Sequence, residues 1–154
     1  MPMALRLAAE ACPSILRPTR ELVEGVAMEH GLSERRANDV KLCVHEAIAN
    51  VARHAYDGRP GPVDVTVQDR GDVLAVVVSD HGTGAPSTIS NGGALGQEVS
   101  NGGALGLWVM SHLSTGCTVR ARGDGMEVEM LFPISAPTPS PTDPETQLLR
   151  FSRG

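Results

Sequence analysis

The sequence predicts an α+β fold, a two-layer sandwich in which one mixed, mostly antiparallel β-sheet carries helices on one face. Two observations predict it. Two helical patterns come early, between about residues 14 and 56, and two strand pairs joined by tight turns follow between residues 63 and 132. Helices and hairpins grouped in this way are typical of α+β domains. We expect residues 1–133 to form one domain and residues 134–154, rich in Pro, Ser and Thr, to form a disordered tail.

Composition narrows the class of protein. Aromatic residues make up only 3% of the chain, so the core has to be aliphatic, and the formal net charge of −5 argues against non-specific binding of nucleic acid. No apolar run reaches the roughly 18 residues that cross a bilayer, and the first residues do not resemble a signal peptide. The 3 cysteines are widely separated. We therefore expect a cytoplasmic protein with reduced thiols that binds neither nucleic acid nor membrane.

The first three elements follow from local patterns. Met3–Ala9 is a short apolar stretch that predicts an edge strand, and Ser14–His30 has helical spacing. Ser33 is a suitable N-cap for a second helix over Glu34–Tyr56. Apolar residues recur in that helix at steps of three or four, which places them on one face: Val40, Val44, Ile48, Val51 and Ala55.

The remaining elements are strands, a long loop and one helix. Residues 63–68 alternate apolar and polar side chains, as in a half-buried strand, and residues 73–80 are continuously apolar up to Asp80, as in a central strand. Residues 81–103 predict a loop and Leu105–Leu113 a helix. "CTVRAR" and "MEVEMLF" then predict a closing hairpin around the glycines of residues 123–125.

Three clusters of residues are candidates for chemistry. Glu46 and Asn50 are four residues apart on the polar side of the second helix, with Arg53 or His54 one turn on. This arrangement fits a functional site, and it also fits an ordinary solvent-exposed stripe. Residues 80–84, "DHGTG", place a carboxylate beside two glycines, which fits a ligand that donates a hydrogen bond but equally fits a turn.

The third cluster is glycine-rich and directly precedes a helix, at residues 102–107. Main-chain N–H groups and a helix N-terminus form a favourable phosphate site. The cluster is not a Walker A loop, because GxxxxGK[ST] is absent and the single lysine, Lys41, is distant in sequence. It is not a Rossmann fingerprint either, because no strand immediately precedes it.

The three clusters in this order resemble a known superfamily. "EAIANVARHAY" at 46–56, "DHGTG" at 80–84 and "GGALGLWVM" at 102–110 are similar to the N, G1 and G2 boxes of the GHKL ATPases. Within these proteins the chain most resembles the bacterial anti-sigma-factor serine kinases. The resemblance covers about residues 4–133 and implies the Bergerat, histidine-kinase-like ATPase fold.

The resemblance also implies a role for each residue. Asn50 would hold Mg²⁺ through its side-chain oxygen, and Glu46 would be the general base toward the acceptor hydroxyl. Asp80 would bind the adenine amino group of ATP, with Gly82 and Gly84 beside it. His54 matches a position near the site, although packing is an equal explanation. The lid over the phosphates would be formed by Gly102, Gly103, Leu105, Gly106 and Leu107.

The function implied is that of an ATP-dependent protein serine/threonine kinase. It would bind a sigma factor, phosphorylate a STAS-type anti-sigma-factor antagonist and form a homodimer. One departure bears on it: Met126 stands where the family usually has Thr, which fits a non-catalytic partner-switching adapter. An ATPase module of a histidine kinase is a further alternative, but no pair of phosphoacceptor helices is recognisable.

The predicted loop contains a repeat. "SNGGALG" occurs at residues 90–96 and again at 100–106. Only the second copy leads into a helix, so we assign the phosphate-binding role to it. The first copy is explained by a tandem duplication in a loop that tolerates extra length, since doubling a flexible loop costs only about 0.6 kcal/mol. The other interpretation is a second, competing phosphate cradle.

Overall fold

The computed structural model describes residues 3–82 and 103–134. Its elements confirm the predicted α+β fold. In chain order they are β1 (Met3–Glu10), α1 (Pro13–Glu29), α2 (Glu34–His54), β2 (Pro62–Asp69), β3 (Val73–Asp80), α3 (Gly103–Leu113), β4 (Gly116–Arg122) and β5 (Gly125–Pro133).

The strands form one five-stranded sheet in the order β1-β2-β3-β5-β4. The predictions of β1 as an edge strand and β3 as the central strand are confirmed. All four pairs of neighbouring strands are antiparallel, so the described sheet is not mixed. The reason is connectivity: the pairs β2–β3 and β4–β5 are hairpins, and the long connection from β1 to β2 also reverses the chain. β4 runs parallel to β3, but β5 lies between them and is antiparallel to both.

The ends of the helices differ slightly from the prediction. α1 begins at Pro13, because proline lacks an N–H group and is therefore tolerated in the first helical turn. α2 begins as predicted, where the Ser33 hydroxyl accepts a hydrogen bond from the Arg36 N–H group at 3.2 Å, and it ends at His54. α3 begins at Gly103, two residues earlier than expected.

The core lies between the sheet and the helices. The predicted apolar face of α2 is buried at every position, and α2 contacts both α1 and α3. Along β2 the three valines are buried while the intervening side chains are half-buried, which confirms the alternating pattern. The largest fully buried side chains of the described residues come from four elements: Phe132, Ile48, Leu74, Met110 and Met130.

Removing the largest core side chain is expected to be costly. Phe132 is fully buried on β5, so Phe132→Ala should lower the free energy of unfolding by about 3–5 kcal/mol, since a cavity replaces the ring. Urea denaturation followed by circular dichroism measures the loss. Trp108→Ala is the matched control: this side chain is 49% exposed, and its removal should cost about 1 kcal/mol or less. Equal losses in the two variants would contradict this assignment of the core.

Two predicted features, the greater part of the loop (residues 83–102) and the tail (residues 135–154), lie outside the described residues. So does the first copy of "SNGGALG". Within residues 3–82 and 103–134, no helix has both the length and the apolar character needed to cross a membrane.

Candidate functional site

The polar side of α2 faces the first turn of α3. Gly106 lies so close to α2 that a Cβ atom there would be 2.9 Å from Glu46 Oε2 and 3.2 Å from Asn50 Nδ2. The N–H groups of the first helical turn have no partner within the helix and favour an anion. The structure therefore brings two of the predicted clusters together: a carboxylate, a carboxamide and the N-terminus of a helix.

Asn50 has an unsatisfied oxygen at this point. Its Oδ1 atom is buried and has no hydrogen-bond partner among the described residues. A buried polar atom without a partner costs about 1–3 kcal/mol, so it calls for a partner such as a water molecule or a bound ion. A carboxamide oxygen is a ligand type that Mg²⁺ accepts, usually together with substrate phosphates. The residue thus fits the cation-binding role that the resemblance implies.

The end of β3 positions the third cluster. Asp80 is buried, and its Oδ1 atom accepts hydrogen bonds from the N–H groups of Gly82, at 2.9 Å, and Met126, at 3.3 Å. These two bonds fix the orientation of the carboxylate. No donor among the described residues contacts Oδ2, so within that part of the chain this oxygen is free to accept a hydrogen bond from an amino group such as that of adenine.

Two glycines allow the backbones to meet around Asp80. A Cβ atom at Gly82 would be 1.9 Å from the carbonyl oxygen of Ala55, just beyond the end of α2. A Cβ atom at Gly125 would be 1.9 Å from the carbonyl oxygen of Asp80, and its φ of +154° also favours glycine. The close contact between Gly82 and Ala55 thus places Asp80 near the C-terminal end of α2. Ala55 is only five residues beyond Asn50 in the sequence.

Two contacts of this arrangement were not predicted from the sequence. Met126 was singled out for its side chain, whereas the contact with Asp80 is made by the main-chain N–H group, which any residue except proline supplies. Tyr56 was also missed: its hydroxyl accepts a hydrogen bond from the His81 N–H group at 2.9 Å and donates one to the Pro62 carbonyl. The two glycines that flank Asp124 indicate a tight turn, and they are the sequence feature from which the contact between Met126 and Asp80 could have been predicted.

The other predicted residues are placed as follows. Gly103 begins α3, and Leu107 is buried in the core rather than open to a ligand. Gly84 and Gly102 lie outside the described residues, as does the side chain of Leu105. The nucleotide-binding roles suggested for those three residues therefore rest on the sequence alone.

The three basic residues of α2 that the sequence analysis named, Arg53, His54 and Lys41, differ in exposure and in their contacts. Arg53 is exposed and lines a groove of about 350 Å³ that also includes residues of the α1 N-terminus. His54 is half-buried at the last position of α2. Lys41 forms an ion pair with Glu24 of α1 at 3.3 Å.

Two of the three cysteines, Cys43 and Cys117, are too deeply buried to supply a nucleophile. Burial raises the pKa of the Cys43 thiol to about 12 and that of Cys117 to about 11. Both thiols therefore stay protonated near neutral pH, and a thiol is a much weaker nucleophile than a thiolate. The remaining candidate groups of the site are its carboxylates, its carboxamide and its main-chain N–H groups.

Comparison with known proteins identifies the class of protein to which this fold belongs. The sequence profile of the histidine kinase-like ATPase domain matches residues 9–132. The chain belongs to this family.

Several relatives share a more specific name. A serine-protein kinase RsbW of Listeria innocua is 35% identical over 80 residues, covering 51% of each chain. The protein of that name from Bacillus licheniformis is 32% identical over 80 residues, covering 51% of this chain and 50% of the relative. The chain thus matches about half the length of these relatives.

A solved structure supports the fold. The crystal structure of the RsbU and RsbW domains of Rv1364c from Mycobacterium tuberculosis matches 89% of this chain and 34% of that one, with a TM-score of 0.65 and 18% identity. At this identity the likeness concerns the fold alone.

Proposed function

We propose that this chain is an ATP-dependent protein serine/threonine kinase that is also an anti-sigma factor. It would act in the cytoplasm as a homodimer, bind a sigma factor, and phosphorylate a STAS-type antagonist of that binding. The observation that carries the proposal is the pair Glu46 and Asn50 beneath the first turn of α3, where Asn50 Oδ1 is buried and has no partner among the described residues. The similarity to proteins named serine-protein kinase supports it.

The two ends of the site would bind different parts of ATP, the adenine at Asp80 and the phosphates at the N-terminus of α3. Asp80 Oδ2 would accept a hydrogen bond from the adenine amino group while Oδ1 stays held by the two main-chain N–H groups. At the other end, the N–H groups of the first turn of α3 would donate to the phosphates, because a helix N-terminus favours negative charge. Asn50 Oδ1 would hold Mg²⁺, which supplies neutralisation of the phosphate charge when it is bound.

Glu46 distinguishes a kinase from a passive binding module. Its carboxylate lies one helical turn from Asn50, against the same glycine of α3. In this position it would accept the proton of the serine or threonine hydroxyl as that oxygen attacks the γ-phosphorus atom. The bond between the γ-phosphorus and the β–γ bridging oxygen would break in the same step, and ADP would leave. Binding of nucleotide alone needs no such base, so a retained carboxylate at this point favours phosphoryl transfer over the adapter alternative.

Phosphoryl transfer to a purified STAS-domain protein of the source organism tests the proposal. The chain is incubated with radiolabelled ATP, Mg²⁺ and the STAS protein, and the labelled residue is identified by mass spectrometry. We expect label on a serine or threonine of the STAS protein. A complex that forms and binds nucleotide, yet transfers no phosphate, would replace the kinase by the adapter.

A further inference from the structure

His81, the residue after Asp80, lies between two carboxylates from different parts of the sheet. Its Nε2 atom is 3.3 Å from Asp64 Oδ2 on β2, and its Nδ1 atom is 3.4 Å from Asp124 Oδ2 in the turn between β4 and β5. We name these three residues the His81 clasp. Because the clasp spans β2, the end of β3 and the β4–β5 turn, it links three segments beside the candidate adenine end of the site.

The two contacts require a particular protonation state. An ionised carboxylate only accepts hydrogen bonds, and a neutral imidazole has a single N–H group, so it can donate to only one of the two aspartates. The imidazolium ion donates to both. The hydrogen bonds to Asp64 and then to Asp124 accordingly raise the pKa of His81 above its usual value.

Among the side chains that the structure describes, the contacts of the His81 ring nitrogens are both with carboxylates. The groups that face it are the carboxylates of Asp64 and Asp124, and the Tyr56 hydroxyl, which contacts its main-chain N–H group. Asp80 is adjacent in sequence, but its Oδ1 atom accepts from Gly82 and Met126. Loss of the proton would therefore leave one carboxylate facing an imidazole lone pair.

The β4–β5 turn contacts both His81 and Asp80, and it thereby links the His81 clasp to the Asp80 carboxylate. Asp124 lies two residues before Met126, whose N–H group donates one of the two hydrogen bonds to Asp80 Oδ1. Gly125, between them, packs against the Asp80 carbonyl group. The position of this turn relative to β3 thus determines half of the hydrogen bonding that orients the Asp80 carboxylate.

We propose that the imidazolium form of His81 is a positioning residue of the nucleotide site, which holds the β4–β5 turn against β2 and thereby orients the Asp80 carboxylate toward the adenine amino group. The inference rests on the proposed function, because it needs adenine to bind at Asp80. It predicts that the affinity for an adenine nucleotide decreases as His81 loses its proton.

The test compares ADP affinity at about pH 6 and about pH 8.5 by calorimetry. The variants are His81→Arg, which carries a permanent charge with several donors, and His81→Gln, which carries none. At each pH, the Kd of ADP for each protein is divided by the Kd of ADP for His81→Arg. Protonation of the nucleotide affects both values equally and therefore cancels in this ratio. We expect the wild type to weaken about threefold relative to His81→Arg at the higher pH, as exposed ion pairs contribute modestly. His81→Gln should be weak at both values.

A matched control is available at the opposite end of the sheet. His30 Nδ1 is 2.8 Å from Asp69 Oδ2, so His30→Gln also removes a contact between histidine and aspartate, but far from Asp80. This variant should keep the wild-type dependence on pH. A merely structural loss of stability would affect both histidine variants, whereas the pH dependence of ADP affinity should change only at His81.

The outcomes separate the two proposals. Binding of ADP with a constant ratio between wild type and His81→Arg would overturn the positioning role and leave the nucleotide site intact. Absence of ADP binding in every protein and at both pH values would overturn the proposed function itself, and the positioning role with it. An NMR titration of His81 needs no nucleotide: the pKa should fall in Asp64→Asn and in Asp124→Asn, and an unchanged pKa in both would contradict the clasp.

Discussion

Glu46→Gln should lower the rate of phosphoryl transfer at least about 100-fold while leaving ATP affinity within about twofold of the wild type. Glutamine keeps the shape of the side chain that packs against Gly106, but it cannot accept the proton of the acceptor hydroxyl. Binding and chemistry should therefore separate. Transfer of radiolabel to the STAS-domain protein measures the rate, and calorimetry measures the affinity.

The control for this variant lies on the same helix. Glu34 is exposed in the first turn of α2, so Glu34→Gln removes the same charge without touching the site. It should transfer phosphate at nearly the wild-type rate. If Glu46→Gln also transferred phosphate within about threefold of the wild type, Glu46 would not be the base, and the kinase proposal would lose its main chemical argument.

Gly82→Ala should both destabilise the domain and weaken nucleotide binding. The added Cβ atom would be 1.9 Å from the Ala55 carbonyl oxygen, a backbone atom that cannot move aside as a flexible side chain would. The end of β3 has to shift away from the end of α2, and such overpacking typically costs about 1–3 kcal/mol. Asp80 loses its alignment in the same shift, so we expect ATP affinity to fall at least about tenfold.

A second glycine provides the comparison for this substitution. Gly25 lies within α1 with open space around its Cα atom, so Gly25→Ala introduces the same methyl group without a clash. That variant should be as stable as the wild type, or more stable by up to about 1 kcal/mol, because alanine is the better helix former. Urea denaturation of both variants decides the matter. A Gly82→Ala protein with wild-type stability and affinity would contradict the close approach of β3 and α2.

The parts of the fold that depend on local patterns were predictable. The apolar face of α2, the alternation in β2 and the hairpin before Phe132 each follow from the spacing of side chains, and the structure confirms them. The strand order was not accessible in this way, because it depends on which edges pair after the chain has folded. Contacts between a loop and a distant strand were not predictable for the same reason, because they also depend on how the folded chain brings separate segments together.

The candidate site was predictable to a similar extent. Glu46 and Asn50 share a side of α2 because of helical spacing, and "DHGTG" stands out because of its glycines. The contact between the Met126 N–H group and Asp80 was not predictable, since it joins residues 46 apart in sequence through the pairing of β3 with β5. The His81 clasp was missed for the same reason. It is visible only once β2, β3 and the β4–β5 turn are brought together.

Calorimetry with and without Mg²⁺ shows whether ATP binds between Asp80 and Asn50 together with Mg²⁺. We expect Mg²⁺-dependent binding in the wild type and in the control Asn38→Ala, whose side chain is exposed on the same helix. Asn50→Ala should bind at least about tenfold more weakly in the presence of Mg²⁺, because the buried ligand oxygen is gone. No binding of ATP to the wild type in either condition would contradict the account.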